Sequence, residues 1–101
     1  MDTKSKVLDI AMNLNRIGNW AADDYKGKEK RIDFFLDQTN QYIKSLDKNA
    51  FSSKFKDTFD SFYKYYQRLL KDKEKGPKDT LFWAEMMMTW GNILTHRAKL
   101  I

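Results

Sequence analysis

The chain has 101 residues, 42% of them hydrophobic and 15% aromatic, which is enough apolar material for a core and too much for a disordered chain. It contains no cysteine, so disulfides, thiolate catalysis, Cys-ligated zinc and Cys-ligated iron–sulfur clusters are excluded. The formal net charge of +5 makes it moderately basic, which permits contact with nucleic acid or an anionic surface without requiring either.

The N-terminal stretch "MDTKSKVLDIAMNLNR" breaks its apolar residues with acids and amides and lacks the continuous hydrophobic region of a secretory signal. No run approaches the roughly 18–20 apolar residues that span a bilayer. The expectation is a cytoplasmic protein without a transmembrane segment, folded as one helical domain over 1–101.

Proline occurs once, at Pro77, and glycine four times, so little punctuates the chain and helical spacing dominates. A first helix is predicted over about 3–25, with Val7, Ile10, Leu14, Ile17 and Ala21 recurring every three or four residues. Ala11 and Gly18 lie beside that stripe, and Gly27 is the candidate C-terminal cap. A second helix follows over about 29–46, with Ile32, Phe35, Leu36, Thr39, Tyr42, Ile43 and Leu46 on one face. "DKNAFSS" makes a turn in which Ser52 or Ser53 caps a third helix, predicted over about 53–75. Phe55, Phe59, Phe62, Tyr63, Tyr66, Leu69 and Leu70 form its apolar face. "KDKEKGPKD" is the clearest break, because Gly76 suits a helix end and Pro77 cannot continue a helix. Asp79 or Thr80 caps a last helix over about 80–101.

Four helices with short connections predict an all-α fold, an antiparallel up-down-up-down four-helix bundle. The alternative is a three-helix core with one helix exchanged between protomers. There is no internal repeat, and no motif identifies a family.

The last helix holds the densest signal, "TLFWAEMMMTWGNILTHR". On a helical wheel Met86, Met87, Trp90, Ile93, Leu94 and Ile101 fall within about 80° of Trp83, which reads as a core stripe rather than a cofactor box. Ala84, Gly91 and Ala98 recur at heptad spacing along one edge. Helix 1 carries a matching pair in Ala11 and Gly18, so helices 1 and 4 are expected to pack closely. Leu81 and Met88 form a second apolar line on the polar side, a candidate contact with another chain.

Catalytic chemistry finds little support. A di-iron bundle needs inward Glu-x-x-His motifs, and the only histidine, His96, lies opposite the tryptophans. The same placement removes it as a haem ligand paired with Met86 or Met87, and Met88 stands two turns away. Asp33 with Asp37 and Asp57 with Asp60 are spaced like paired carboxylates but lie on the solvent side of their helices. One exposed histidine cannot supply a nucleophile–base–acid set, and no glycine-rich phosphate loop is present. No enzyme activity, metal or cofactor is expected.

"FDSFYKYYQRLLKDKEK" interleaves aromatics with bases as single-strand binders do, yet most of these rings share the apolar face. Tyr65 at the margin and Phe34 in "IDFFLD" stand off their stripes. With Leu81 and Met88 they are the candidate interaction surface. In an up-down bundle both termini and the helix 2–3 turn share one end. That end carries Lys4, Lys6, Lys44, Lys48, Lys54, Lys56, Arg97 and Lys99 against Asp2, Asp47 and Asp57, an excess equal to the whole net charge of +5. It is the candidate anion-facing end, whereas charges at the other end nearly balance.

The sequence therefore predicts a small non-catalytic protein–protein interaction or regulatory module, self-associating through helix 4 or the Phe34 surface. One alternative is a nucleic-acid-associated protein using the basic end. A second is an enzyme subunit or small-ligand carrier with a bundle cavity near the Trp/Met cluster.

Overall fold

The computed structural model describes residues 2–101. Its elements are α1 (Thr3–Asp24), α2 (Glu29–Lys44), a 3-10 turn (Lys48–Ala50), α3 (Ser53–Lys75), α4 (Thr80–Arg97) and a closing 3-10 turn (Ala98–Leu100). The fold is the expected all-α four-helix bundle, in which α1 packs on α4 and α2, and α3 packs on α4.

Side-chain caps start three of the helices. Asp2 accepts from the Ser5 N–H at 2.7 Å, Ser52 from Phe55 at 3.2 Å and Asp79 from Phe82 at 2.9 Å. Each satisfies a backbone donor that the first helical turn leaves unpaired. At its other end α3 stops at Gly76, whose φ of 81° is a left-handed conformation that glycine adopts without steric penalty. Gly27 does not play that part. It has no positive φ, and α1 ends where the Asp24 carboxylate takes the Gly27 N–H at 3.0 Å. The last α-helix also stops earlier than expected, at Arg97, and tightens into the 3-10 turn that carries Lys99.

The predicted stripes form the core. Val7, Ile10, Leu14 and Ile17 of α1 meet Ile32 and Leu36 of α2, Phe55, Phe59, Phe62 and Tyr66 of α3, and Trp83, Met87 and Leu94 of α4. The α1–α4 seam is the tightest. A Cβ on Gly91 would stand 2.9 Å from the Ala11 carbonyl oxygen and 2.8 Å from the Asn15 amide nitrogen. One on Gly18 would stand 2.7 Å from the Ala84 carbonyl oxygen and collide with the Met88 side chain. The small residues at heptad spacing therefore bring two backbones together, as the sequence suggests. Within the chain α4 is seated on α1.

Polar links brace the α2–α3 side. The Tyr66 hydroxyl donates to Asn40 Oδ1 at 2.8 Å, and the Lys73 ammonium contacts Glu29 at 2.8 Å and Asp33 at 3.0 Å. Among the described residues no helix is long and apolar enough to cross a membrane.

Candidate functional site

Most of the methionine–tryptophan run is structural. Trp83 and Met87 are buried, Met86 and Trp90 are half-buried against the core, and His96 is exposed on the far side of α4. The second apolar line of α4 splits. Leu81 is 55% exposed, but Met88 is half-buried, because Gly18 leaves room for its side chain in the α1–α4 seam. Met88 is thus not a free surface residue. Tyr65 is also half-buried, its ring 6.1 Å from that of Trp90. Of the four predicted contact residues, Phe34 and Leu81 stand in solvent, Phe34 at 61% exposure.

Phe34 does not stand alone. Its ring meets Phe35 edge-on at 5.2 Å, and Phe35 meets Trp20 of α1, also at 5.2 Å. Two arginines lie over this row, Arg31 at 5.2 Å from the Trp20 ring and Arg16 at 5.8 Å from the Phe35 ring. Beneath it the buried Asn13 amide donates to Gln38 at 2.9 Å and fixes the α1–α2 register. Met12, one turn before Arg16 and 48% exposed, extends the row along α1. The outer α1–α2 face is therefore a continuous strip of aromatic rings and guanidinium groups. Trp20, Arg16, Arg31 and Met12 were missed in the sequence because each lies off its own helix's stripe. The strip arises only when two such off-stripe rows are brought side by side.

A second feature lies at the opposite end from the termini, where the α3–α4 loop leaves a groove of about 430 Å³. Tyr65, Leu69, Phe82 and Trp83 line it, with Arg68 and Lys75 at its edge. Phe82, at 52% exposure, is another surface aromatic that the sequence did not single out. The groove opens on the surface and reaches the core residues Leu69 and Trp83.

Carboxylates are dispersed. Among the described residues no three metal-ligating side chains gather in one place. Asp33, Asp37, Asp57 and Asp60 are all exposed as expected, and Asp33 also pairs with Lys73 at 3.0 Å. Burial alone would depress the Lys73 ammonium, but hydrogen bonds to Glu29 and Asp33 outweigh it and hold its pKa above the ordinary 10.5. Burial raises the Tyr66 and Tyr25 phenols above their ordinary 10.0. In all three groups the folded state holds its proton more tightly than the unfolded chain does. Their contribution is complete below pH 10.0 and is lost as pH rises past that value. Thermal midpoints should thus fall as pH rises above about 10, and Tyr66→Phe should flatten part of the fall. At neutral pH the same variant should cost about 0.5–1.5 kcal/mol for the lost bond to Asn40, read by chemical denaturation. An alkaline profile identical in the two proteins would mean that Tyr66 is not the buried phenol.

The basic end assembles as the topology predicts. Lys6 Nζ donates to the Ser45 carbonyl at 3.1 Å, Ser52 Oγ to the Leu100 carbonyl, and Arg97 Nε to Thr58 Oγ1 at 2.6 Å. These bonds tie the start of α1 to the end of α2, and the start of α3 to the end of α4. Lys48 lies over the rings of Phe59 and Tyr63, at 5.9 and 5.7 Å. Lys4, Lys44, Lys54, Lys56 and Lys99 are exposed.

Comparison with known protein families, curated proteins and solved structures gives no match. A four-helix bundle with one aromatic–arginine strip and one basic end is the description on which a functional reading rests.

Proposed function

We propose that this chain is a non-catalytic protein-interaction module whose contact surface is the outer α1–α2 face, with a second copy of the chain as the first partner. The observation that carries this reading is Phe34, 61% exposed and continuous with Phe35, Trp20, Arg16 and Arg31. Aromatic residues, methionine and arginine are the types enriched where protein interfaces concentrate their binding energy. A phenylalanine held in water gains roughly 1.5–3 kcal/mol on full burial. Its ring already rests edge-on against Phe35, which reduces the side-chain freedom to be lost. The lack of cysteine fits a reducing cytoplasm as the compartment.

Sedimentation velocity over a concentration series, at low and high salt, tests self-association. An apolar contact survives salt, and Phe34→Glu should weaken it at least about tenfold, equivalent to roughly 1.4 kcal/mol. A photoreactive phenylalanine analogue placed at Phe34 in living cells extends the test to other partners. A discrete polypeptide adduct at that position, absent when the analogue replaces the exposed Lys64, supports the reading. A monomer at every concentration with no position-specific adduct removes it.

A further inference from the structure

We infer that the bundle end formed by the start of α3 and the end of α4 binds the phosphate backbone of a nucleic acid, through Lys54, Arg97 and Lys99. The inference is independent of the α1–α2 face. It rests first on how charge is distributed. All three ion pairs found among the described residues, Lys28 with Asp23 and Lys73 with Glu29 and Asp33, lie away from this end. No cation here has a carboxylate within ion-pair distance. Two of the three local acids are engaged elsewhere, Asp2 with the Ser5 N–H and Asp47 with the Asn49 N–H at 3.0 Å. The eight cations of this end therefore outnumber its three acids, and none of the ion pairs found engages them.

Arg97 is held ready for an anion. Its Nε donates to Thr58 Oγ1 at 2.6 Å, which orients the guanidinium while its terminal N–H groups remain for a ligand. Thr58 in turn bonds the Lys54 carbonyl at 3.4 Å, one turn back on α3. Lys54 and Arg97 thus share one face. Ser52, at the same end of α3, holds the Leu100 carbonyl and keeps the turn bearing Lys99 beside that face. A planar fork flanked by two lysines on adjacent elements is a set of donors suited to phosphate oxygens.

The remaining question is which polyanion. A protein interface has an apolar centre inside its polar rim, and a lipid-surface segment inserts apolar side chains beneath its lysines. The exposed large hydrophobics of the described residues are Met12, Phe34, Tyr63, Leu81 and Phe82. Of these, Tyr63 borders this end, where Lys48 lies 5.7 Å over its ring, and none belongs to the segments 52–58 and 94–101 that carry Lys54, Arg97 and Lys99. Charge without an apolar centre favours nucleic acid, whose affinity comes largely from phosphate neutralisation and counterion release.

The test is fluorescence anisotropy of a short labelled DNA duplex and a labelled single-stranded RNA against the whole protein, with phosphatidylserine vesicles as a parallel arm. Three phosphate contacts give a log–log salt slope of about −2.7 for duplex, or roughly a fortyfold loss between about 50 and 200 mM salt. The Lys54→Glu/Lys99→Glu variant should lose roughly tenfold or more at low salt. Lys26→Glu/Lys30→Glu, the same charge change at the opposite end, should lose much less. All four lysines are exposed, so both variants should fold, which circular dichroism checks. No binding at low salt, equal losses in the two variants, or binding to vesicles in place of nucleic acid each overturns the inference.

Discussion

Replacing Gly91 with leucine is expected to lower the unfolding free energy by about 3 kcal/mol, the upper end of what overpacking costs. Two effects oppose each other at this position. A side chain improves helix propensity over glycine by up to about 1 kcal/mol. Against that, the first added carbon would stand 2.9 Å from the Ala11 carbonyl oxygen, and that oxygen belongs to the backbone of α1. A flexible side-chain tip can swing aside, but a helical carbonyl moves only with its helix. Displacing α1 would loosen its contacts with Trp83, Met87 and Leu94 together, so the clash outweighs the propensity gain. In a domain of this size the loss corresponds to a fall in Tm on the order of 15 °C. Asn92→Leu, one residue on and exposed, should change Tm little. A Gly91→Leu protein that melts like the parent would sink the close α1–α4 packing.

That pairing was legible in the sequence because it is a pattern of spacing. Ala84, Gly91 and Ala98 on one helix and Ala11 and Gly18 on another mark backbone approach by the absence of side chains. The helix starts were legible for a related reason, since Asp2, Ser52 and Asp79 act within their own first turn. What escaped depends on a second element. Met88 looked free on the wheel of α4, but the space it fills is made by Gly18 of α1. Phe51 was assigned to a turn, yet its ring packs at 4.8 Å from Phe55 and 5.2 Å from Phe59 and closes the lower core. The aromatic–arginine strip escaped for the same reason. Trp20 and Phe35 are each marginal to their own helix and become a surface only because α1 and α2 lie antiparallel. Periodicity within a helix records which face is buried. It does not record which off-face residues of two helices meet.

Trp83 carries the other large expected effect, and with Trp90 it separates a core from a binding box. Trp83→Ala should cost about 3–5 kcal/mol, the range for deleting a large buried aromatic. The ring is 2% exposed, meets Tyr25 edge-on at 5.8 Å, and donates through Nε1 to the Leu69 carbonyl at 2.9 Å, locking α4 to α3. Trp83→Phe keeps most of the apolar area but leaves this bond unmade, at a cost of roughly 1–3 kcal/mol if the carbonyl stays shielded from water. Trp90 supplies the contrast. It packs between Phe62 at 5.9 Å and Tyr65 at 6.1 Å, but its buried Nε1 finds no acceptor in the protein. Trp90→Phe removes an unpaired donor together with ring volume, so the two changes partly offset each other and the net loss should be smaller than for Trp83→Phe. Denaturant titrations of the three variants check the order, with Trp83→Ala the least stable and Trp90→Phe nearest the parent. If Trp90→Phe proved the costlier phenylalanine substitution, Nε1 of Trp90 would have a partner, and the tryptophan run would be recast as a ligand-binding feature.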